Sequence, residues 1–325
     1  QAYAVYADFG YVNERSLASL MNETAADDFD AVIHAGDLAY NLEDEDGQRG
    51  DDFMNSIQDI ASHLPYQAVP GNHESDGKTF AQFKKRFSAL NYVANASAST
   101  SNMWYSFDQG LVHWVGIDTE VYSYGTLEDQ VAQSVWLEAD LAKANTNRAS
   151  VPWIISALCV CVCVCVWCCS VPSPPSPPLL VYGHKADWMD KTNWANFTTL
   201  SHKYGVDLYL CGHVHSYIRQ YPEFNGTVDK TGVSADGRMY TAPKYMPTIV
   251  AGSPGCQENI NSALPPIPGV VAANHGSYGY GRLVVVNETV VTWAWNQVST
   301  ASGTVGPAVT LDSLTLVVPE HGMRV

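Results

Sequence analysis

Asp8-Phe9-Gly10, Gly36-Asp37-Leu38-Ala39-Tyr40, Gly71-Asn72-His73-Glu74, Val181-Tyr182-Gly183-His184 and Gly212-His213-Val214-His215 are five short polar motifs. Each follows an apolar run rich in β-branched residues. Their ligand-type side chains are Asp8, Asp37, Tyr40, Asn72, His184, His213 and His215. Hard oxygen donors favour a trivalent metal ion, whereas imidazole and amide groups suit a divalent one. A set of both kinds suits two unlike ions held side by side, and such a pair serves the hydrolysis of a phosphate ester.

Within that set the residue types differ in what they can supply. A carboxylate offers two oxygens in fixed geometry, so Asp37, directly after a strand-like run, is suited to bridge two ions. Tyr40 returns to the same side of the turn three residues later. A phenolate is a hard, strong donor that stabilises Fe(III) and gives a visible charge-transfer colour. His213 and His215, at i and i+2, place two imidazoles where they reach neighbouring ions. The remaining histidines, His34, His63, His113, His202, His275 and His321, have no second ligand type at metal spacing and read as structural or surface residues. The acidic stretch Glu43-Asp44-Glu45-Asp46 lacks the glycine pattern of a calcium loop and reads as a solvated turn.

The elements that must carry these motifs alternate in type. Tyr3 to Ala7, Ala31 to Ala35, Tyr66 to Val69, Leu111 to Ile117, Val151 to Ile155 and Val206 to Leu210 read as short buried strands. Glu14 to Glu23, Asp51 to His63, Thr79 to Phe87, Leu127 to Ala144 and Asn193 to Tyr204 carry helical apolar spacing. Strand–helix repetition predicts parallel sheet with helices outside it, and in such sheets ligands gather beyond the carboxyl ends of the strands. From Thr248 onward strand follows strand, including Arg282 to Val286, Val290 to Trp295 and Ser313 to Val318, which predicts that this tail completes a second, more antiparallel sheet of the same domain. Residues 1–325 are expected to form one α/β domain.

Taken in order, the motifs resemble the metallophosphoesterase superfamily, and Tyr40 with Asn72-His73-Glu74 resembles the purple acid phosphatases. Ala251-Gly252-Ser253-Pro254-Gly255-Cys256-Gln257-Glu258 and Tyr278-Gly279-Tyr280-Gly281-Arg282-Leu283 are similar to that family's C-terminal portion. The resemblance implies a four-layer α/β/β/α sandwich of two mixed sheets flanked by helices. It also implies Fe(III) on Asp8, Tyr40 and His215, a divalent Zn, Mn or Fe(II) on Asn72, His184 and His213, and Asp37 as the bridge. Asn72 and His73 would contact the phosphate, with His73 helping the leaving group depart and Glu74 orienting its ring. Two departures stand out. Ala7 replaces the glycine usual before the first ligand, and Lys185-Ala186-Asp187-Trp188-Met189-Asp190 lacks the histidine that plant members place near the leaving group, leaving Asp187 as a weaker alternative.

Ser156 to Leu180 is unlike the rest, with a Cys-Val alternation followed by Val171-Pro172-Ser173-Pro174-Pro175-Ser176-Pro177-Pro178. Zinc sites generally use Cys-x-x-Cys knuckles rather than this alternation. The uncharged run from Trp153 to Val171 approaches membrane-spanning length, but a span would put His184 across a bilayer from Asp37. Removing Ser156 to Leu180 joins Trp153-Ile154-Ile155 to Val181-Tyr182-Gly183-His184, a continuous strand ending at a ligand. A TG dinucleotide repeat encodes Cys-Val, so the segment reads as a non-native insertion such as a retained intron.

A hydrophobic content of 46% supports a substantial core, and the net charge of −16 disfavours nucleic acid or an anionic membrane as partner. Sequons at Asn22, Asn95, Asn196, Asn225 and Asn287 point to a glycoprotein, secreted or vacuolar/lysosomal. Gln1 enters a strand without a charged-then-apolar leader, so the chain reads as processed or trimmed. The expected activity is that of an acid phosphatase, splitting small phosphate monoesters by attack of a metal-bound hydroxide. A phosphodiesterase or nucleotidase of the same superfamily, or an inactive secreted glycoprotein of the same fold, are the alternatives.

Overall fold

The computed structural model describes residues 1–159, 191–260, 269–298 and 308–324, with the side chains of 191–196 left out. In the first half, strands β1 (Ala2–Tyr6), β2 (Ala31–Ala35), β3 (Tyr66–Val69), β4 (Tyr105–Gln109), β5 (Val112–Ile117) and β6 (Trp153–Leu158) are joined by helices. The helices are α1 (Leu17–Ala25), α2 (Gln48–Ser56), α3 (Gln58–Ala61), α4 (Ala81–Arg86), α5 (Leu90–Ala96) and α6 (Leu127–Thr146). Helix α7 (Lys191–Lys203) then precedes β7 (Leu208–Cys211), β8 (Tyr217–Gln220), β9 (Glu223–Phe224), β10 (Thr227–Val228), β11 (Met239–Thr241) and β12 (Thr248–Ala251). The chain closes with β13 (Val270–Asn274), β14 (Gly279–Val285), β15 (Val290–Gln297) and β16 (Val309–Val317).

Among the described residues these strands build two seven-stranded mixed sheets and a small β9–β10 pair. The first sheet has the order β11-β16-β15-β14-β1-β2-β3 and the second β13-β8-β12-β7-β6-β5-β4. In each, the site-bearing strands are parallel: β1, β2 and β3 in one, and β5, β6, β7 and β12 in the other. Successive side chains alternate between two faces that are both buried, which explains why most of these strands read as nearly unbroken apolar runs. Tyr3 and Val5 of β1 enter the core between the sheets with Ile33, Trp114, Ile155, Leu210, Trp293 and Trp295. Ala4 and Tyr6 face the other way, into a cluster shared with helix residues Leu20, Phe53, Ile57, Leu137 and Leu200. The result is the expected α/β/β/α layering.

Two expectations change. The C-terminal strands complete not one sheet but both: β14 pairs antiparallel with β1, and β15 and β16 follow it, so they extend the sheet the N-terminus begins, while β12 and β13 join the other. Free backbone groups on the β1 edge attract whichever strand satisfies them, and that partner is remote in sequence. The helix expected over Asp51 to His63 is two helices, α2 and α3, meeting at Ile57. Strand β6 runs through Ser156, Ala157 and Leu158, paired with Val115, Gly116 and Ile117 on β5, so the first residues of the unusual segment complete a central strand. Residues 160–180 lie outside the described residues. No helix among the described residues is long and apolar enough to cross a membrane.

Candidate metal centre

Asp8 follows β1, Asp37 and Tyr40 follow β2, Asn72 and His73 follow β3, and His213 and His215 follow β7, all at the carboxyl ends of parallel strands. The loops are laced together by backbone bonds: Asp8 N–H donates to Gly36 O (3.0 Å), Phe9 N–H to Asp37 O (3.1 Å) and Gly10 N–H to Leu38 O (2.8 Å). Asp8, Asp37, Tyr40 and His213 are non-glycine residues with φ between 52° and 69°. That left-handed conformation costs roughly 1–2 kcal/mol per residue and persists only where surrounding structure imposes it, typically at functional sites. At Gly71 an added Cβ would collide with the Asp37 carboxylate, so only hydrogen fits there. Gly212 faces Ala7 in the same way, and its missing side chain makes room for the methyl that Ala7 carries in place of glycine.

The side chains converge into two adjoining groups. In the first, Tyr40 Oη lies 3.2 Å from Asp8 Oδ1 and 2.6 Å from His215 Nε2, with His215 Nε2 3.5 Å from Asp8 Oδ1. In the second, His213 Nδ1 lies 2.9 Å from Asn72 Oδ1 and 3.8 Å from Asp37 Oδ2. Asp37, on the second group, also accepts from His73 N–H at 3.0 Å, and Asp8, on the first, from His213 N–H at 2.7 Å. Asp8, Asp37 and Tyr40 are almost wholly buried.

Burial dominates the proton affinities. It raises Asp8 above the usual carboxylate range, against the pull of His215. Asp37 is buried as deeply, yet its hydrogen bond to His213 and the charges of His73 and His213 hold it below that range. Burial, reinforced by Asp8 and Asp37, pushes the Tyr40 phenol well up. Burial disfavours charge on His215, but Asp8 and Cys256 outweigh it and lift the imidazole to about 11, and Asp37 lifts His213 likewise. Two buried carboxylates, a buried phenol, an amide oxygen and two imidazoles at these separations fit cations better than protons, because a cation satisfies every donor at once. The residues therefore fit a dinuclear centre, Asp8, Tyr40 and His215 on one side, Asn72 and His213 on the other, with Asp37 beside His213. His184, Asp187 and the loop around them lie outside the described residues.

His73 stands at the mouth. Its ring packs tilted at 38° against Tyr40 with centroids 4.3 Å apart, Nδ1 lies 3.0 Å from Asn41 Oδ1, and Nε2 lies 3.6 Å from Glu258 Oε1. Glu74 does not orient that ring. Its carboxylate points inward and accepts from Leu38 N–H (2.8 Å) and Gly71 N–H (2.9 Å), tying two ligand loops together. The short helical turn at Asn72–Glu74 sends side chains 73 and 74 in different directions, which the sequence spacing does not reveal. Asn41, Cys159, Cys256 and Glu258 were not singled out as site residues from sequence. Asn41 is adjacent to Tyr40, Cys256 and Glu258 lie in the segment similar to the family's C-terminal portion, and Cys159 opens the Cys-Val alternation, but none of these positions states which ligand it faces. Cys256 Sγ lies 3.2 Å from His215 Nδ1.

The other histidines have neighbours of their own. His34 Nδ1 meets Tyr66 Oη at 2.7 Å, His113 lies between Asp108 and Asp140, and His202 stacks on Phe224. Of the sequon asparagines, Asn22, Asn95, Asn225 and Asn287 are exposed, and the side chain of Asn196 is outside the described set.

Comparison with known proteins agrees with this architecture. The calcineurin-like phosphoesterase family matches residues 3–217, and the iron/zinc purple acid phosphatase-like protein C family matches residues 245–306. The chain is 34% identical to acid phosphatase type 7 of Danio rerio across 98% of its own length and 69% of the relative's. It is 35% identical to the Homo sapiens protein of that name across 88% of itself and 62% of the relative, so it spans about two thirds of these proteins. The purple acid phosphatase PPD1 of yellow lupin seeds shares the fold with a TM-score of 0.67 at 20% identity, over 98% of this chain and 53% of that one. On these matches the chain belongs to the calcineurin-like phosphoesterase family and, within it, to the acid phosphatases of the purple type.

Proposed function

We propose that this chain hydrolyses phosphate monoesters at a centre of Fe(III) and a divalent Zn, Mn or Fe(II). Asp8, Tyr40 and His215 would hold the ferric ion, Asn72 and His213 the divalent ion, and Asp37 would bridge them. The observation that carries this reading is the triangle of Tyr40 Oη, Asp8 Oδ1 and His215 Nε2, within 3.5 Å of one another beside the Asp37–His213 pair. Two adjoining cations, when bound, lower the pKa of a water and neutralise charge growing on the phosphoryl oxygens.

The protein's own groups divide the remaining work. Asn72, its oxygen beside His213, sets the phosphate against the divalent position. His73, partly open to solvent and fixed through Asn41 and the Tyr40 ring, presents an imidazole edge to the leaving-group oxygen and supplies a proton there. The acidic surface lends no attraction for an anionic ester, so capture depends on the local cations. Exposed sequon asparagines support passage through a secretory route to the outside or to a vacuolar or lysosomal compartment.

The test is a substrate panel at acidic pH on purified protein, with metal analysis and a visible spectrum. Aryl monoester turnover with two metals per chain and a coloured oxidised form is the expected result. Preference for diesters or nucleotides would move the assignment to phosphodiesterase or nucleotidase. Two-metal protein without turnover would leave an inert glycoprotein of this fold.

A further inference from the structure

Strand β6 decides what stands beside Asp37. It lies in register between β5 and β7, with Leu158 opposite Ile117 on one side and Cys211 on the other. The next residue, Cys159, therefore leaves the sheet level with Gly212, one residue before His213. Cys159 is fully buried, and its Sγ lies 3.5 Å from Asp37 Oδ2. One ligand atom each from Cys159, Asp37 and His213 all fall within 4.8 Å of one another. Gly36, at φ +87°, makes this approach possible, since a Cβ there would collide with the Cys159 side chain.

The separations match a coordination shell. Bonds of about 2.3 Å to sulfur and 2.0–2.2 Å to nitrogen or oxygen in a tetrahedron put ligand atoms roughly 3.5 Å apart. The sulfur–carboxylate distance is 3.5 Å, and that from His213 Nδ1 to Asp37 Oδ2 is 3.8 Å. Asn72 Oδ1, 2.9 Å from His213 Nδ1, supplies a fourth donor. We propose that Cys159 is a thiolate ligand of the divalent position, giving it a sulfur, nitrogen and oxygen set that selects zinc over manganese or ferrous iron. Binding forms a metal–sulfur bond and releases the thiol proton to solvent. Sulfur is the soft member of the set, and soft donors favour zinc while oxygen-rich shells favour manganese.

This inference rests on the dinuclear reading and refines one position of it. Cys159 is the fourth residue after Ile155, as His184 is the fourth after Leu180. In a chain lacking Ser156 to Leu180, His184 would take the strand position that Cys159 holds here, so the two residues are alternative occupants of one place.

The experiment uses the full-length chain loaded with Co(II) as a spectroscopic substitute for zinc. A near-ultraviolet sulfur-to-cobalt charge-transfer band is expected, lost in Cys159→Ser and in the chain shortened by deleting Ser156 to Leu180. Zinc should slow alkylation of Cys159 at least tenfold, read by mass spectrometry of its peptide. Circular dichroism and the tyrosinate colour serve as folding controls. A band that survives Cys159→Ser, or an alkylation rate indifferent to zinc, overturns the proposal. Two bound metals and phosphatase turnover without a thiolate band would refute this ligand while leaving the proposed function standing. A Cys159-dependent band in protein with one metal and no turnover would do the reverse.

Discussion

Replacing Arg219 by Met should destabilise the fold while leaving its chemistry intact. Arg219 is 1% exposed on β8 of the second sheet, four residues past His215. Its Nε and one terminal nitrogen donate to Asp312 Oδ2 and Oδ1 at 2.6 and 2.9 Å, and the other terminal nitrogen donates to Gly237 O (2.6 Å) and Tyr240 Oη (2.9 Å). Asp312 and Tyr240 belong to β16 and β11 of the first sheet, so the pair bolts the two sheets together. Truncating one partner of a buried pair strands the other charge and costs about 3–5 kcal/mol. A surface cleft lined by Arg219 and Asp312 admits solvent to their edge, which sets the expectation at the lower end, about 3 kcal/mol. With an unfolding entropy of about 2.1 cal/mol/K per residue over 325 residues, Tm should fall by roughly 4–5 °C. Calorimetry of the metal-loaded protein measures this, and kcat at 25 °C should stay within about twofold, since no described Arg219 contact involves a candidate ligand. The double variant Arg219→Met with Asp312→Leu should recover most of the loss, because no lone charge remains. A single-variant cost under about 1 kcal/mol, or a double variant no better than the single, would refute the reasoning.

Tyr40→Phe should remove the visible absorption of the oxidised protein, and colour surviving that change would show that another group is the chromophoric ligand. Asp37→Ala should lose both metals and essentially all turnover, whereas His73→Ala should keep both metals and lose about 10²-fold or more in kcat; metal loss from the His73 variant would contradict its assigned place. His113 gives a pH test. Burial opposes its charge, but Asp108 at 2.6 Å and Asp140 at 2.9 Å outweigh that and raise it to about 9. Its folded value lies above its unfolded one, so the stabilisation, at most about 3 kcal/mol, is complete below about pH 6.5 and fades as pH rises through about 9. Urea melts at pH 6 and pH 10 should show that loss, and His113→Gln should flatten it; equal slopes for both proteins would exclude His113 as the source.

The sequence determined the strands and where the chemistry falls along them. Strands β1, β2 and β7 are buried on both faces, so they read as nearly continuous apolar runs, whereas the edge strand β3 is buried only at Ala68 and Val69, and the polar break after each marks a carboxyl end. The residue types at those breaks were enough to point to a dinuclear metal centre. Tertiary structure decided what depends on pairing between distant segments. That β14 to β16 close onto β1 follows from an edge needing partners, and nothing local to residues 279–317 states which edge that is. Glu74 turns inward and Asn41 takes over the support of His73 because a tight turn, not sequence spacing, fixes where each side chain points. Cys159 stands beside Asp37 only because β6 is held in register by β5 and β7, and a shift of one residue would send its sulfur to the other face of the sheet.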